Sequence, residues 1–205
     1  MDPRTFWNER FSSADFAYGT APNAFLAEHF RAFPPNGELL SLGEGEGRNA
    51  AFLAEQGFHV TAVDLSSYGL NKAQALAAGR GVSITTVEAD LNAFDLGQAR
   101  WDGIYNIFCH VPPELRTRLY ARIRQALRPG GVFLTEQYAK DQLRYQSGGP
   151  KDERMLISLE ELQQAFAGDE VRYAAWETTT LNEGPLHQGL ASVIRFIVRR
   201  PAADE

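Results

Sequence analysis

Short apolar runs alternate with segments of helical periodicity along the first two thirds of the chain. Residues 38–42, 58–63, 82–87, 102–108 and 131–138 are apolar stretches bounded by turn residues, the pattern of buried strands. Helices are predicted between them: over 49–56, from a cap at Ser66 or Ser67 to about 78, and over 115–127. Pro113 stands just before the last of these, where a first-turn proline is tolerated. Arg128-Pro129-Gly130-Gly131 should stop that helix and turn into the fifth strand. Such alternation argues for an α/β fold with a parallel sheet and helices on both faces.

The last third breaks the pattern. Ser158 with Glu161 three residues on reads as a capping box before a short helix. Two long strands follow at 171–181 and 190–199, and with no room for a crossover helix between them they should pair antiparallel. The expected sheet therefore has seven strands, mostly parallel, finished by a C-terminal hairpin. Residues 1–35 precede the first strand and are rich in aromatics. Phe25, Phe30 and Phe33 are expected to pack as core, and Trp7 and Tyr18 are candidates for a lid over the strand ends, with core packing the alternative. At 205 residues the whole chain is expected to form one domain, with 1–35 as its helical cap.

Chemistry enters at the end of the first strand. Gly43-Glu44-Gly45-Glu46-Gly47 follows an apolar run, and a second apolar run ends in Asp64, the layout of a nucleotide-binding βαβ unit. The glycines permit a tight turn and close approach of a ligand to the main chain. Asp64 can accept hydrogen bonds from both hydroxyls of a ribose. Spacing alone also satisfies a dinucleotide fingerprint, through Gly45-x-Gly47-x-x-Ala50. The charges discriminate, because a pyrophosphate sits badly beside Glu44 and Glu46 whereas the sulfonium and ammonium of S-adenosylmethionine are attracted.

Composition narrows the classes further. A formal net charge of −6 with no Lys/Arg-rich run disfavours nucleic acid as a partner. The lone Cys109 excludes an internal disulfide, no apolar run approaches a membrane span, and the first residues lack the features of a signal peptide, so a cytoplasmic location is expected.

With these motifs, Ala89-Asp90-Leu91, the Leu127 to Gly131 turn and the terminal hairpin, the chain resembles the class I S-adenosylmethionine-dependent methyltransferases over nearly its whole length. Within them it is similar to the tellurite-resistance group and its thiopurine-methyltransferase-like relatives. That likeness is carried by Tyr18-Gly19-Thr20-Ala21-Pro22-Asn23, Gly47-Arg48-Asn49, Ile107 to Pro113, Leu186-His187 and Arg195. The resemblance implies a Rossmann-like methyltransferase fold with S-adenosylmethionine as cofactor. It places Gly43, Glu44, Gly45, Gly47 and Asn49 near the methionine part, Asp64 and Leu65 at the ribose, and Asp90 and Leu91 at the adenine. Asn106 and the residues after it would face the reacting methyl, and Tyr18 would cover the site. Many relatives carry an acid where this chain has Ser41, and Glu44 or Glu46 is the available substitute. His187 and Arg195 would border the acceptor pocket, although Gln188 stands where some relatives have another arginine, which weighs against an oxyanion acceptor.

Methyl transfer is an in-line displacement from an activated donor, so positioning and desolvation dominate and neither a triad nor a metal is expected. A thiol or other chalcogen acceptor needs little base; an oxygen acceptor would need one, and His110 or His187 is available. Either histidine could instead be a satisfied polar group. Cys109 reads as a small buried hydrophobe, Gln137 and Tyr138 as either substrate contacts or sheet caps, and Arg195 alternatively as a solvent-facing strand position. The pairs Asp152-Glu153 and Glu160-Glu161 read as solvated. No Asn/Asp-Pro-Pro-aromatic run follows the fourth strand, which disfavours nitrogen methylation of nucleic acid or glutamine. The expectation is a methyltransferase of a small molecule at a sulfur or chalcogen centre, monomeric or homodimeric. An O- or N-methyltransferase of a small metabolite and a non-catalytic S-adenosylmethionine-binding module are the alternatives.

Overall fold

The computed structural model describes residues 2–202. Its frame is one seven-stranded sheet: β1 Glu38–Leu42, β2 His59–Asp64, β3 Thr85–Glu88, β4 Trp101–Ile107, β5 Leu127–Tyr138, β6 Glu170–Asn182 and β7 Gln188–Arg199. The strands lie in the order β3-β2-β1-β4-β5-β7-β6. Pairings among the first five are parallel, and β7 alone is reversed, set antiparallel to β5 on one side and β6 on the other. The fold class read from the sequence is therefore the observed one.

Helices flank both faces because both faces of these strands are apolar. In β1, Leu39 joins a core with Leu26, Phe33, Leu53 and Tyr105, while Leu40 and Leu42 join a second core with Leu119, Ile123, Phe133 and Phe166. The first core is covered by α2 (Ala24–His29) and α3 (Arg48–Glu55) together with α4 (Ser67–Gly79); the second lies under α5 (Pro113–Ala126) and α6 (Leu159–Ala165). Phe25 and Phe33 are buried as expected, whereas Phe30 is only partly so. No helix among the described residues is long and apolar enough to cross a membrane.

Three local readings needed correction. The turn at Arg128 to Gly131 does not delay β5: the ladder resumes at Leu127 opposite Trp101, and a register shift before the Gly103–Val132 pair absorbs the turn. Ser158 caps α6 by accepting from the Glu161 N–H at 3.3 Å, but the Glu161 carboxylate does not return to close a capping box. It pairs instead with Arg116 at 2.5 and 3.1 Å, so Glu161 is not on a solvated face.

The chain before β1 is a strap held by polar anchors. Asp2 caps α1 (Pro3–Phe11), whose Arg4 pairs with Glu88 at the end of the edge strand β3 and whose Asn8 accepts from Ser66 at 2.6 Å. Lys72 of α4 reaches the carbonyls of Ser13 and Asp15 at 2.8 and 2.7 Å. These contacts hold α1 across the carboxyl ends of the strands, the side on which open α/β sheets bind ligands.

Candidate active site

A cavity of about 900 Å³ opens at those strand ends, in the upper part of the range for small-molecule and cofactor sites. Its walls include Gly43, Glu44 and Gly45 after β1, Asp64 and Leu65 after β2, Asp90 and Leu91 after β3, and Phe108 to His110 after β4. Trp7, Arg10 and Phe11 of α1, Tyr18 of the strap and His187 of the β6–β7 loop complete it.

At one end the glycine loop is shaped by steric necessity. Gly43 has φ +73°, and a Cβ there would stand 2.3 Å from the Cys109 Sγ. Gly47 has φ +90° and packs on α4, where a Cβ would come within 2.4 Å of the Ala73 Cα. Gly47 thus lets α3 and α4 meet and is not part of the cavity wall. The Gly43 and Glu44 N–H groups donate to the Val63 carbonyl, fixing the loop to the end of β2.

The two acids of the loop have different roles. Glu44 is buried at the cavity wall and accepts from the Ser41 hydroxyl at 2.5 Å, the Tyr105 hydroxyl at 2.8 Å and the Ala50 N–H at 2.9 Å. Its carboxylate thus lies directly above Ser41, the position where relatives carry their acid. Burial raises its proton affinity, and the three donors oppose that rise. Glu46 turns away: it pairs with Lys72 at 2.5 Å and accepts from the Ala17 N–H at 2.8 Å, tying the strap to the loop. The negative end of the cavity therefore rests on Glu44 and Asp64. Asp64 accepts from the Gly45 and Ser66 N–H groups at 2.8 Å each, and desolvation raises its pKa against those bonds.

Asn49, at the first turn of α3, lines the cavity while its Oδ1 accepts from the Asn23 N–H at 2.8 Å. Asn106 is elsewhere. Its side chain bonds Gln137, its carbonyl accepts from Thr135 at 2.7 Å, and it lines a separate void of about 10 Å³ behind Cys109. The expected contact of Asn106 with a ligand in the large cavity is not observed.

The opposite end is aromatic. His187 packs on Tyr18, Phe108 and Tyr138 with ring centroids 4.5, 4.8 and 5.6 Å apart, and His110 stacks on Tyr138 at 5.5 Å. Burial depresses both histidines, His110 to about 4 and His187 to about 3, so both are neutral at pH 7. The Nδ1 of His187 is buried with no hydrogen-bond partner among the described residues. Neither ring therefore has the near-neutral pKa of a tuned general base. Burial likewise pushes the Cys109 thiol up to about 12, and it serves as a small wall residue against Gly43. Phe108, at φ +50°, holds a left-handed turn that few non-glycine residues adopt and that swings Cys109 and His110 out of the line of β4.

Arg195 does not reach the cavity. It donates to Glu136 at 2.9 Å and Glu177 at 2.7 Å and lies 5.3 Å from the Phe25 ring centroid, and it is neither a pocket residue nor a solvent-facing one. Its place is in a buried network that sequence reasoning missed. Arg48 pairs with Glu183 at 2.7 Å; the Asn23 amide donates to Glu136 at 2.6 Å and Glu183 at 2.9 Å; the Ala24 N–H donates to Glu183 at 3.1 Å. Asn23 and Arg48 lay in conspicuous motifs, but Glu183 carried no signal in a loop of polar residues. Gln137 and Tyr138 cap the sheet: Gln137 bonds Asn106, and the Tyr138 hydroxyl donates to the Ser147 carbonyl at 3.1 Å behind the histidines.

Comparison with known proteins agrees with this fold. Residues 39–131 match the family described as "Methyltransferase domain". Sterol 24-C-methyltransferase ERG6B of Gibberella zeae is 28% identical over 152 residues, 67% of this chain and 40% of that protein. The 2-heptyl-1-hydroxyquinolin-4(1H)-one methyltransferase of Mycobacteroides abscessus is 30% identical over 108 residues, 51% of this chain and 48% of that one. The chain thus spans about two fifths to a half of these curated relatives. Among solved structures, a protein from the conversion of a disulfide bond into a thioacetal group during echinomycin biosynthesis superposes with a TM-score of 0.74, at 19% identity, covering 98% of this chain and 91% of that one. TehB of Haemophilus influenzae superposes with a TM-score of 0.72 at 16% identity, covering 96% and 66%.

Proposed function

We propose that this chain, whose fold and matched domain are those of the class I S-adenosylmethionine-dependent methyltransferases, methylates a small molecule at sulfur. The observation that carries the reading is the cavity that joins the glycine loop, Asp64 and Leu91 to an aromatic end. The residues present fit the cofactor. Gly43 and Gly45 expose backbone at positive φ, Glu44 offers a carboxylate beside the loop for an ammonium, and Asp64 offers one for ribose hydroxyls. Two carboxylates there suit a cationic ligand and oppose a pyrophosphate.

When bound, S-adenosylmethionine supplies a methyl already activated by its sulfonium. The protein's part is then to line up an acceptor and exclude water, with α1 and Tyr18 covering the strand ends. Depressed histidines are poor bases, so they assist a soft nucleophile, which needs little help, better than an alcohol, which needs much. The neutral His187 ring can accept a hydrogen bond from an acceptor S–H and orient it. The TM-score of 0.74 to a protein of sulfur chemistry in echinomycin biosynthesis is consistent with a sulfur acceptor and supplies only the fold.

The test is calorimetric titration with S-adenosylmethionine, S-adenosylhomocysteine and NAD, followed by mass-spectrometric assay of benzenethiol, phenol and aniline as acceptors. Micromolar binding of the first two ligands with methylation of the thiol is the expected result. Binding of NAD alone would overturn the cofactor, and methylation of phenol or aniline in preference to the thiol would overturn the acceptor chemistry.

A further inference from the structure

We propose that the outer edge of β6 pairs antiparallel with the same edge of a second copy of this chain, about a two-fold axis at Trp176. The open sheet has two edges, and they are built differently. β3 spans only Thr85–Glu88, and its side chains are engaged, Glu88 by Arg4 and Thr86 by the Gln74 amide at 2.8 Å. β6 runs from Glu170 to Asn182 with β7 on one side only. Long edges are usually blunted by lysine, proline or an unpaired charge. From Tyr173 to Leu181 β6 has neither lysine nor proline, and its one charge, Glu177, is paired with Arg195 at 2.7 Å. A register shift between Val171 and Tyr173 bends only the start of the strand.

Exposed apolar surface is concentrated on the same ribbon. Val171, Trp176 and Leu190 are all exposed, Trp176 by 61%. In the ladder Val171 lies opposite Val198, Trp176 opposite Ile194 and Leu190 opposite Thr180. All three therefore share the face on which Ile194, Phe196 and Val198 enter the core beneath α6. That core ends at β7, and β6 carries its apolar face on into solvent. Trp176 is already held, its Nε1 donating to the Ser192 Oγ at 3.0 Å, so covering it costs little further side-chain entropy.

The partner that fits this edge is a second copy. Trp176 is the midpoint of β6, and a two-fold axis there, perpendicular to the sheet, makes the edge self-complementary. It sets Trp176 opposite its own mate, Ala174 opposite Thr178 and Tyr173 opposite Thr179, which gives aromatic and β-branched cross-strand pairs. Glu177 falls opposite Ala175, and Thr180 meets the bulge at Arg172, so no like charges stand face to face. The exposed face of each copy then continues into that of the other. No residue of β6 lines the cavity, so this interface stands or falls independently of the acceptor chemistry.

The experiment is sedimentation velocity of the wild type, Thr178→Lys and Trp176→Glu across a concentration series, joined to cysteine cross-linking. The wild type is expected to show a monomer–dimer equilibrium with a dissociation constant on the order of 10 μM. Each substitution should weaken it at least about tenfold, with circular dichroism unchanged. The cross-linking arm oxidises Trp176→Cys and Thr180→Cys, with Cys109 a background common to both. Facing positions of an antiparallel pair lie about 4.5–5.5 Å apart at Cα, within disulfide reach, so Trp176→Cys should give a covalent dimer. Cysteines at 180 would stand roughly eight residues, or about 26 Å, from each other and should not. A wild type still monomeric at about 200 μM would overturn the proposal. So would a dimer indifferent to both substitutions, or cross-linking at 180 equal to that at 176. Should a substitution disturb folding, the cysteine pair decides.

Discussion

The two ends of the cavity are built by opposite means. At the glycine end, residues 41–50 and 64–66 do almost everything, through backbone groups and carboxylates that are near neighbours in sequence. At the aromatic end, Tyr18 of the strap, Phe108 to His110 and His187 come from three separated stretches, and a buried ionic network ties the strap at Asn23 to the β6–β7 loop at Glu183. The first end is determined by local sterics and the second by long-range electrostatics. A ligand common to many proteins can thus be held by a portable motif, while selectivity resides where any one stretch is uninformative by itself.

The strongest way to break this contrast is to remove the network. Arg48→Met leaves the Glu183 carboxylate buried without its guanidinium and should cost about 3–5 kcal/mol of stability by urea denaturation. A loss below about 1 kcal/mol would show that the aromatic end does not depend on it. Acid should act next, and on the same end. The folded pKa values of His110 and His187, about 4 and about 3, lie below the ordinary 6.5, so their contribution is present above pH 6.5 and is lost as pH falls toward those values. Between pH 7.5 and 5.5 each histidine should remove about 1 kcal/mol of stability, and His110→Gln or His187→Gln should remove its own share of the slope. The raised carboxyls of Glu44 and Asp64 act with the opposite sign.

At the glycine end, Asp64→Ala should weaken S-adenosylmethionine binding by about 1–3 kcal/mol in calorimetry while leaving the binding of benzenethiol intact. Equal loss for both ligands would mean that the two ends are not separable. The smallest effect sharpens the contrast from the other side. His187→Ala should lower thiol methylation roughly tenfold, the worth of one orienting hydrogen bond, with cofactor affinity unchanged. Undiminished turnover would remove His187 from the acceptor site.

Legibility followed the same division. The seven strands, the antiparallel pairing of the last two and the positions of Gly43, Gly45, Asp64 and Leu91 at strand ends could be read because periodicity and turn chemistry are local properties of the chain. Glu44 as a substitute for the acid missing at Ser41 was also foreseeable, since it follows Ser41 by only three residues. Asn106, Arg195 and Glu46 were misread for one reason: a polar residue at a strand end or in a loop looks alike whether it faces a ligand or a partner of opposite charge. Gln137, Glu136 and Lys72 are those partners, and nothing in the spacing names them.

The ionic network also sets an order of assembly. Asn23 bonds Glu136 across 113 residues and Glu183 across 160, and Arg48 reaches Glu183 across 135. Contacts of that span close late, because the loop entropy must be lost before the contact repays it. The glycine loop and Asp64 can organise once β1, β2 and α3 have met, whereas the strap cannot lock until the last hairpin is in place. On the ribosome, the stretch around Asn23 must therefore wait for the β6–β7 hairpin. In refolding, protection of the Ala24 amide, which donates to Glu183, should appear after that of the amides within α3.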